Sequence, residues 1–131
     1  MIDKKLIYAI IWASNNQEKY WFKVFQDLLN AWYQVIPINP NEKEILWKKC
    51  YKKLSECQSN IDVVIFVTQP QVSLEVLKEV NELKIKNARF QPWSESPDAI
   101  NFCKLNWINY TVNACIMIEK SKNKNFQKGG H

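Results

Sequence analysis

The chain has 131 residues and a formal net charge of +5, a size that fits one domain with one sizeable core. No apolar run approaches the roughly eighteen residues a membrane helix needs, and the only histidine, His131, ends the chain, which disfavours histidine-based metal or triad chemistry. Excess positive charge favours a polyanionic partner (a phosphorylated cofactor, nucleic acid or a membrane surface) without choosing among them.

The N-terminal MIDKKLIYAII sets a basic pair before a short apolar run and has no A-x-A cleavage pattern. It reads as a core strand over Lys5–Ile11 rather than a signal peptide, and a cytoplasmic protein is expected. A polar loop follows, and Trp21–Ala31 is an amphipathic helix, with Trp21, Phe22, Val24, Phe25, Leu28 and Leu29 at helical spacing. Tyr33–Pro37 is a second strand and Ile38–Asn41 a turn. Glu42–Leu46 is expected as a short helical turn, Lys48–Tyr51 as a short edge strand and Leu54–Gln58 as a short helix. Ile61–Val67 is a strand broken by Gln69-Pro70. Ser73–Leu83 carries a helical stripe of Leu74, Val76, Leu77, Val80 and Leu83. Asn87–Gln91 is the next strand. Ser96-Pro97-Asp98 starts a helix, with Ser96 as N-cap and Pro97 at the first helical position, and that helix runs to about Leu105. Ile108–Val112 is the last strand, and Ala114–Ile118 is extended or turn-like. The polar, lysine-rich Ser121–His131 reads as a disordered tail, so the domain is expected over 1–120 and the tail over 121–131.

Strands alternating with helices predict an α/β protein: a single Rossmann-like domain, doubly wound and mostly parallel, in three α/β/α layers. The expected strand order is 3-2-1-4-5-6, the third being the short edge strand. Ligands in such sheets bind beyond the carboxyl ends of the strands. The loops Trp12–Tyr20, Ile38–Lys43, Thr68–Gln71 and Gln91–Ser94 meet there. The first of them leads into a helix N-terminus, whose free N–H groups and positive dipole end favour an anion.

Glycine usage is the anomaly. Both glycines, Gly129 and Gly130, lie in the tail, whereas average usage of ~7% would give about nine. Tryptophan is overabundant at six, and one of the six, Trp12, occupies the loop where backbone must approach a phosphate. Lys, Asn and Ile abound and Arg89 is the single arginine, a pattern that suits an AT-rich gene.

Over roughly Lys5–Glu119 the chain resembles the stand-alone CoA-binding Rossmann proteins, related to the nucleotide-binding domain of the succinyl-CoA synthetase α subunit. The matching segments are IIWASNNQEKYWFKVFQDLLNAWYQVIPINP, EILWKKCYKKLSE, IDVVIFV, FQPWSES and ACIMIE, in order and at the expected spacing. The family pattern has glycine where this chain has Trp12, Trp21, Trp32, Trp47, Trp93 and Trp107. The expectation is a gene that uses UGA for glycine, read with a table in which UGA means tryptophan. The alternative is a genuine variant.

The resemblance implies a bound coenzyme A or acyl-CoA. Its diphosphate would lie at Trp12, Ala13 and Ser14, with Lys19 neutralising the diphosphate or the 3′-phosphate. Asn39, Pro40 and Lys43 follow the second strand, where an NAD site would place an acidic residue. None stands there, which favours a phosphorylated ribose, with plain turn chemistry as the alternative for Asn39-Pro40. Val67, Thr68, Gln69 and Pro70 would flank the adenine or pantetheine arm, and Gln91, Pro92 and Trp93 would close the crevice; ordinary strand-to-helix turns explain both sets as well.

The four cysteines, Cys50, Cys57, Cys103 and Cys115, show no C-x-x-C spacing and read as reduced core or surface residues, with zinc ligation or disulfides as the alternative. No catalytic or metal-ligating residue emerges. The lysine cluster Lys48, Lys49, Lys52 and Lys53 reads as a solvated face.

Three functional classes follow. The first is a small non-catalytic CoA-binding module. The second is an NAD(P)-dependent or acyl-CoA-processing enzyme, completed by a partner subunit of the acyl-CoA synthetase kind. The third, nucleic-acid binding, has charge but no base-reading motif. Oligomeric state is not legible.

Overall fold

β-Branched and aromatic residues dominate Ile7–Ile11, and four of these five side chains are buried, as a central strand requires. The computed structural model describes residues 4–11, 20–57, 60–91 and 94–112, together with the backbone but not the side chains of Tyr20 and Trp21. Within it, β1 (Ile7–Ile11), β2 (Gln34–Ile38), β5 (Val63–Phe66), β6 (Asn87–Phe90) and β7 (Asn109–Thr111) form one sheet ordered β2-β1-β5-β6-β7. Every pairing in it is parallel. Asp62 fixes the β1–β5 register: its Oδ2 accepts from the Ile7 N–H at 2.8 Å, and its own N–H donates to the Ile7 carbonyl at 2.8 Å.

Among the described residues, three helices cover the sheet. Helix α1 (Tyr20–Asn30) packs Phe22, Val24, Phe25 and Leu28 against Tyr8, Ile10, Val63 and Ile65 on one face. Helices α2 (Pro70–Glu82) and α3 (Pro97–Leu105) pack Leu77, Val80, Ala99 and Cys103 against Ala9, Ile11, Val64, Phe66, Ala88 and Phe90 on the other. The alternation of strand side chains thus feeds two separate apolar layers, giving the expected α/β/α sandwich. Phe66 and Phe90 stack at 4.9 Å on the second face.

The helix signals behave as local chemistry dictates. Ser96 caps α3, its Oγ accepting from the Ala99 N–H at 3.0 Å. Gln69-Pro70 ends no more than the strand: Pro70 is the first residue of α2, where its missing N–H costs nothing, so this helix starts three residues before the expected Ser73. All three helices close alike. The N–H groups of Tyr33, Ile85 and Ile108 reach back to the carbonyls of Leu28, Val80 and Cys103 at 3.0, 3.0 and 2.9 Å. The residue before each, Trp32, Lys84 and Trp107, sits at φ 68°, 60° and 59°. These are Schellman closures, which place a left-handed residue at the C′ position.

Residues 42–51 depart from expectation. The helical turn over Glu42–Leu46 is instead half of a hairpin: β3 (Glu44–Ile45) pairs antiparallel with β4 (Lys48–Lys49) in a separate two-stranded sheet. Leu46 and Trp47 form its two-residue turn at φ 48° and 66°, the double positive φ of a type I′ turn. The third strand is therefore absent from the main sheet. Lys48 and Lys49 are both exposed, and a pair of charged residues has no apolar side to lay on a sheet edge. The segment's backbone meets the main sheet at Tyr51, by a parallel bridge to Ile38. Leu54–Glu56 makes a single 3₁₀ turn in place of the short helix. The segments expected at 114–118 and 121–131 lie outside the described residues.

Candidate functional site

A parallel sheet aims the carboxyl ends of its strands at one edge, where the loops after β1, β2, β5 and β6 converge. Of the predicted ligand residues, Trp12, Ala13, Ser14, Lys19, Pro92 and Trp93 lie outside the described residues. Asn39, Pro40, Lys43, Val67, Thr68, Gln69, Pro70 and Gln91 are described, and they fall into three groups.

The first group is joined by buried hydroxyls. The Thr68 and Ser73 Oγ atoms are 2.6 Å apart, Ser73 Oγ donates to the Ser94 carbonyl at 2.8 Å, and Ser94 Oγ donates to the Gln91 carbonyl at 2.7 Å. The Gln91 N–H donates to the Phe66 carbonyl at 3.1 Å. Thr68, Ser73, Gln91 and Ser94 are all buried. A hydroxyl has one proton. Ser73 spends its own on the Ser94 carbonyl, so Thr68 donates to Ser73. This chain locks the loop after β5 to the loop after β6, bringing Val67–Pro70 and Gln91 together as one wall. Ser73 and Ser94 complete that wall, and neither carries a sequence signal beyond being small and polar.

The second group stands at the end of β2. Asn39 is buried, and its Oδ1 accepts from the Asn41 N–H at 2.8 Å in an Asx turn. Its N–H donates to the Tyr51 carbonyl at 2.9 Å and its own carbonyl accepts from Cys50 Sγ at 3.6 Å. The side-chain oxygen thus shapes the turn at Pro40, which is exposed.

Lys43 forms the third group and stands apart. With Glu42, Lys49, Cys50, Tyr51, Lys52 and Glu56 it lines an open depression beside the hairpin, outside the crevice between β1 and β2. The crevice itself opens into a small cleft of about 80 Å³ lined by Ile11, Ile38, Leu54 and Val76, with Lys52, Lys53 and Glu79 around them. Ile11 and Ile38 are the last residues of β1 and β2. The lysine cluster therefore divides: all four lysines are exposed, yet Lys52 and Lys53 also border the crevice. Only the crossing from β2 toward β5, a tertiary feature, puts them there.

The thiols are placed for packing. Cys50 and Cys103 are buried free thiols, one in each apolar layer, and Cys57 is a half-buried free thiol. Burial pushes Cys103 up to about 11. Cys50 is likewise raised to about 11, by burial first and by the nearby Glu42 carboxylate, against the Asn39 contact that lowers it. Both stay protonated at neutral pH and are poor nucleophiles. Cys115 lies outside the described residues. Among the described residues there is no group of three or more His, Cys, Asp or Glu placed to hold a metal, and no helix is long and apolar enough to cross a membrane.

Comparison with known proteins agrees with this architecture. A family model described as a CoA binding domain matches residues 7–121. The ADP-forming acetate–CoA ligase of Methanocaldococcus jannaschii is 32% identical over 80 residues, covering 61% of this chain and 11% of the ligase. The α subunit of ADP-forming acetate–CoA ligase II from Pyrococcus furiosus is 33% identical over 81 residues, 60% of this chain and 17% of that subunit. The chain thus spans less than a fifth of these relatives. A conserved hypothetical protein from Pyrococcus furiosus superposes with a TM-score of 0.84 at 38% identity, covering 87% of this chain and 98% of that one.

Proposed function

Since the chain belongs to the CoA-binding domain family, we propose that it is a small CoA or acyl-CoA binding protein with no chemistry of its own. The observation that carries this reading is the extent of the family match, which runs from β1 to beyond β7 and takes in every loop at the carboxyl edge. In this reading the ligand diphosphate lies against Trp12–Lys19 at the N-terminus of α1, and the wall of Val67–Pro70 and Gln91 flanks the adenine or pantetheine arm. The protein works in the cytoplasm, where its thiols stay reduced.

A ligand at that loop needs backbone that approaches a phosphate closely, and an indole at position 12 obstructs it. We propose with it that all six tryptophans are glycines in the protein the cell makes, through UGA recoding. Trp32, Trp47 and Trp107 support this: all have φ between 59° and 68° and side chains 84–87% exposed. Peptide mass spectrometry of the native protein tests it directly, and tryptophan at these positions would refute recoding.

Thermal-shift measurements with CoA, acetyl-CoA, NAD and NADP test the ligand. A ligand at a hundredfold excess over its Kd adds about 2.7 kcal/mol of stability. CoA and acetyl-CoA are expected to stabilise; a response to NAD alone would refute the reading. The likeness to a ligase α subunit favours a second reading, a module completed by a catalytic partner. Co-purification of such a subunit, with CoA-dependent acyl transfer only by the pair, would establish it.

A further inference from the structure

Lys52 and Lys53 occupy a strap pinned at both ends across the mouth of the β1–β2 crevice. At one end the Tyr51 N–H donates to the Pro37 carbonyl at 3.2 Å, and the Tyr51 carbonyl accepts from Asn39 N–H at 2.9 Å. At the other, the Leu54 N–H donates to Glu79 Oε1 at 3.0 Å, and the Leu54 side chain is buried. The two lysines between these anchors are held at the cleft by main-chain bonds, whatever their own side chains do.

The cleft has a matching polarity. Ile11, Ile38, Leu54 and Val76 make it apolar, and its charged lining is Lys52, Lys53 and Glu79, two positive groups against one negative. The Glu79 carboxylate is engaged by the Leu54 amide. The two ammonium groups form no ion pair with any described residue. A small apolar slot with a net positive rim suits the edge of a nucleobase that carries a phosphate nearby. The β2 end adds a second constraint. A ribose with free hydroxyls calls for a carboxylate there, whereas the residue at that position is Asn39, a neutral amide whose Oδ1 accepts from the Asn41 N–H. Ile11, the last residue of β1, lines this cleft and immediately precedes in sequence the loop proposed to hold the diphosphate.

We infer that Lys52 and Lys53 form a specificity strap that reads the 3′-phosphate of the adenosine moiety and so distinguishes CoA from 3′-dephospho-CoA. This rests on the CoA reading above. It moves the phosphate contact from Lys43, which faces the neighbouring depression, to residues at the crevice itself.

The experiment is calorimetric titration of the full chain, carrying the residues that mass spectrometry assigns, with CoA and with 3′-dephospho-CoA. The unsubstituted chain is expected to prefer CoA by about tenfold, the scale of a partly screened charge-assisted contact. The preference should narrow as salt rises. Lys52→Ala with Lys53→Ala should weaken CoA by about the same tenfold and leave 3′-dephospho-CoA within about twofold. Lys86→Ala with Lys104→Ala, the same charge change at the far end of the strands, should keep the preference. A strap variant that retains the preference, or weakens both ligands equally, overturns the inference. So does an unsubstituted chain that binds the two ligands alike, with the CoA reading intact. Failure of the unsubstituted chain to bind either ligand overturns the CoA reading, and this inference with it.

Discussion

Trp32, Trp47 and Trp107 combine two costs, a β-carbon in left-handed backbone and an indole left in water. A non-glycine residue there costs about 1–2 kcal/mol, while glycine loses about 0.5–1 kcal/mol more chain entropy on folding. Each single Trp→Gly change is therefore expected to raise stability by about 0.5–1 kcal/mol in urea unfolding, with the m-value unchanged. Trp107→Ala is the control, because alanine keeps the β-carbon and should give no comparable gain. If alanine and glycine stabilise equally, the exposed indole rather than the backbone is at fault. Left-handed backbone at positions 32 and 107 follows from local sequence, because a Schellman closure is written within one turn of the helix end. The conformation at Trp47 was not, since a turn of Leu and Trp lacks the Asn-Gly chemistry by which a type I′ hairpin is recognised.

The elements divide by the range of the interactions that make them. Helices α1 and α3 lie within a residue or so of their expected bounds, because 3.6-residue periodicity and an N-cap serine are local. The β3–β4 hairpin pairs with itself through a Leu46-Trp47 turn that carries no hairpin signal, and the 51–54 strap depends on bonds to β2 and α2; there the sequence pattern pointed to a helical turn and a sheet strand. The site was legible to the same degree: the converging loops follow from topology, but the Thr68–Ser73–Ser94–Gln91 chain joins residues from three segments. Its weight can be measured. Ser73→Ala leaves the Thr68 hydroxyl and the Ser94 carbonyl buried without this partner and is expected to cost about 1–3 kcal/mol. Ser96→Ala removes only a helix cap and should cost about 1 kcal/mol. In urea unfolding the first change should cost at least as much as the second. A Ser73→Ala cost below about 0.5 kcal/mol would mean that the two loops are held together by packing alone.

For the molecule as a whole, the sheet separates two apolar layers, and each contains one thiol that burial holds protonated. Folding is consequently linked to protons at alkaline pH. Cys50 and Cys103 titrate from a reference of 9.0 when exposed and at about 11 when folded. Their stabilising contribution is fully present below pH 9.0, where both states hold the proton, and it is lost as pH rises through about 11, where the unfolded chain has already released it. Isolating the thiols requires comparison with the Cys50→Ala, Cys103→Ala double variant. That variant should be less stable at pH 8 for the packing it loses, yet its stability should fall less steeply between pH 9 and 11. Parallel slopes would show that the thiols ionise in place, inside layers that admit water. Alkylation at pH 8 reads the same property residue by residue: among the described thiols Cys57, half-buried, should label first, and Cys50 and Cys103 only when urea opens their respective layers. If Cys50 and Cys103 become reactive at the same urea concentration, the two layers unfold together, and the parallel sheet between them is the cooperative unit.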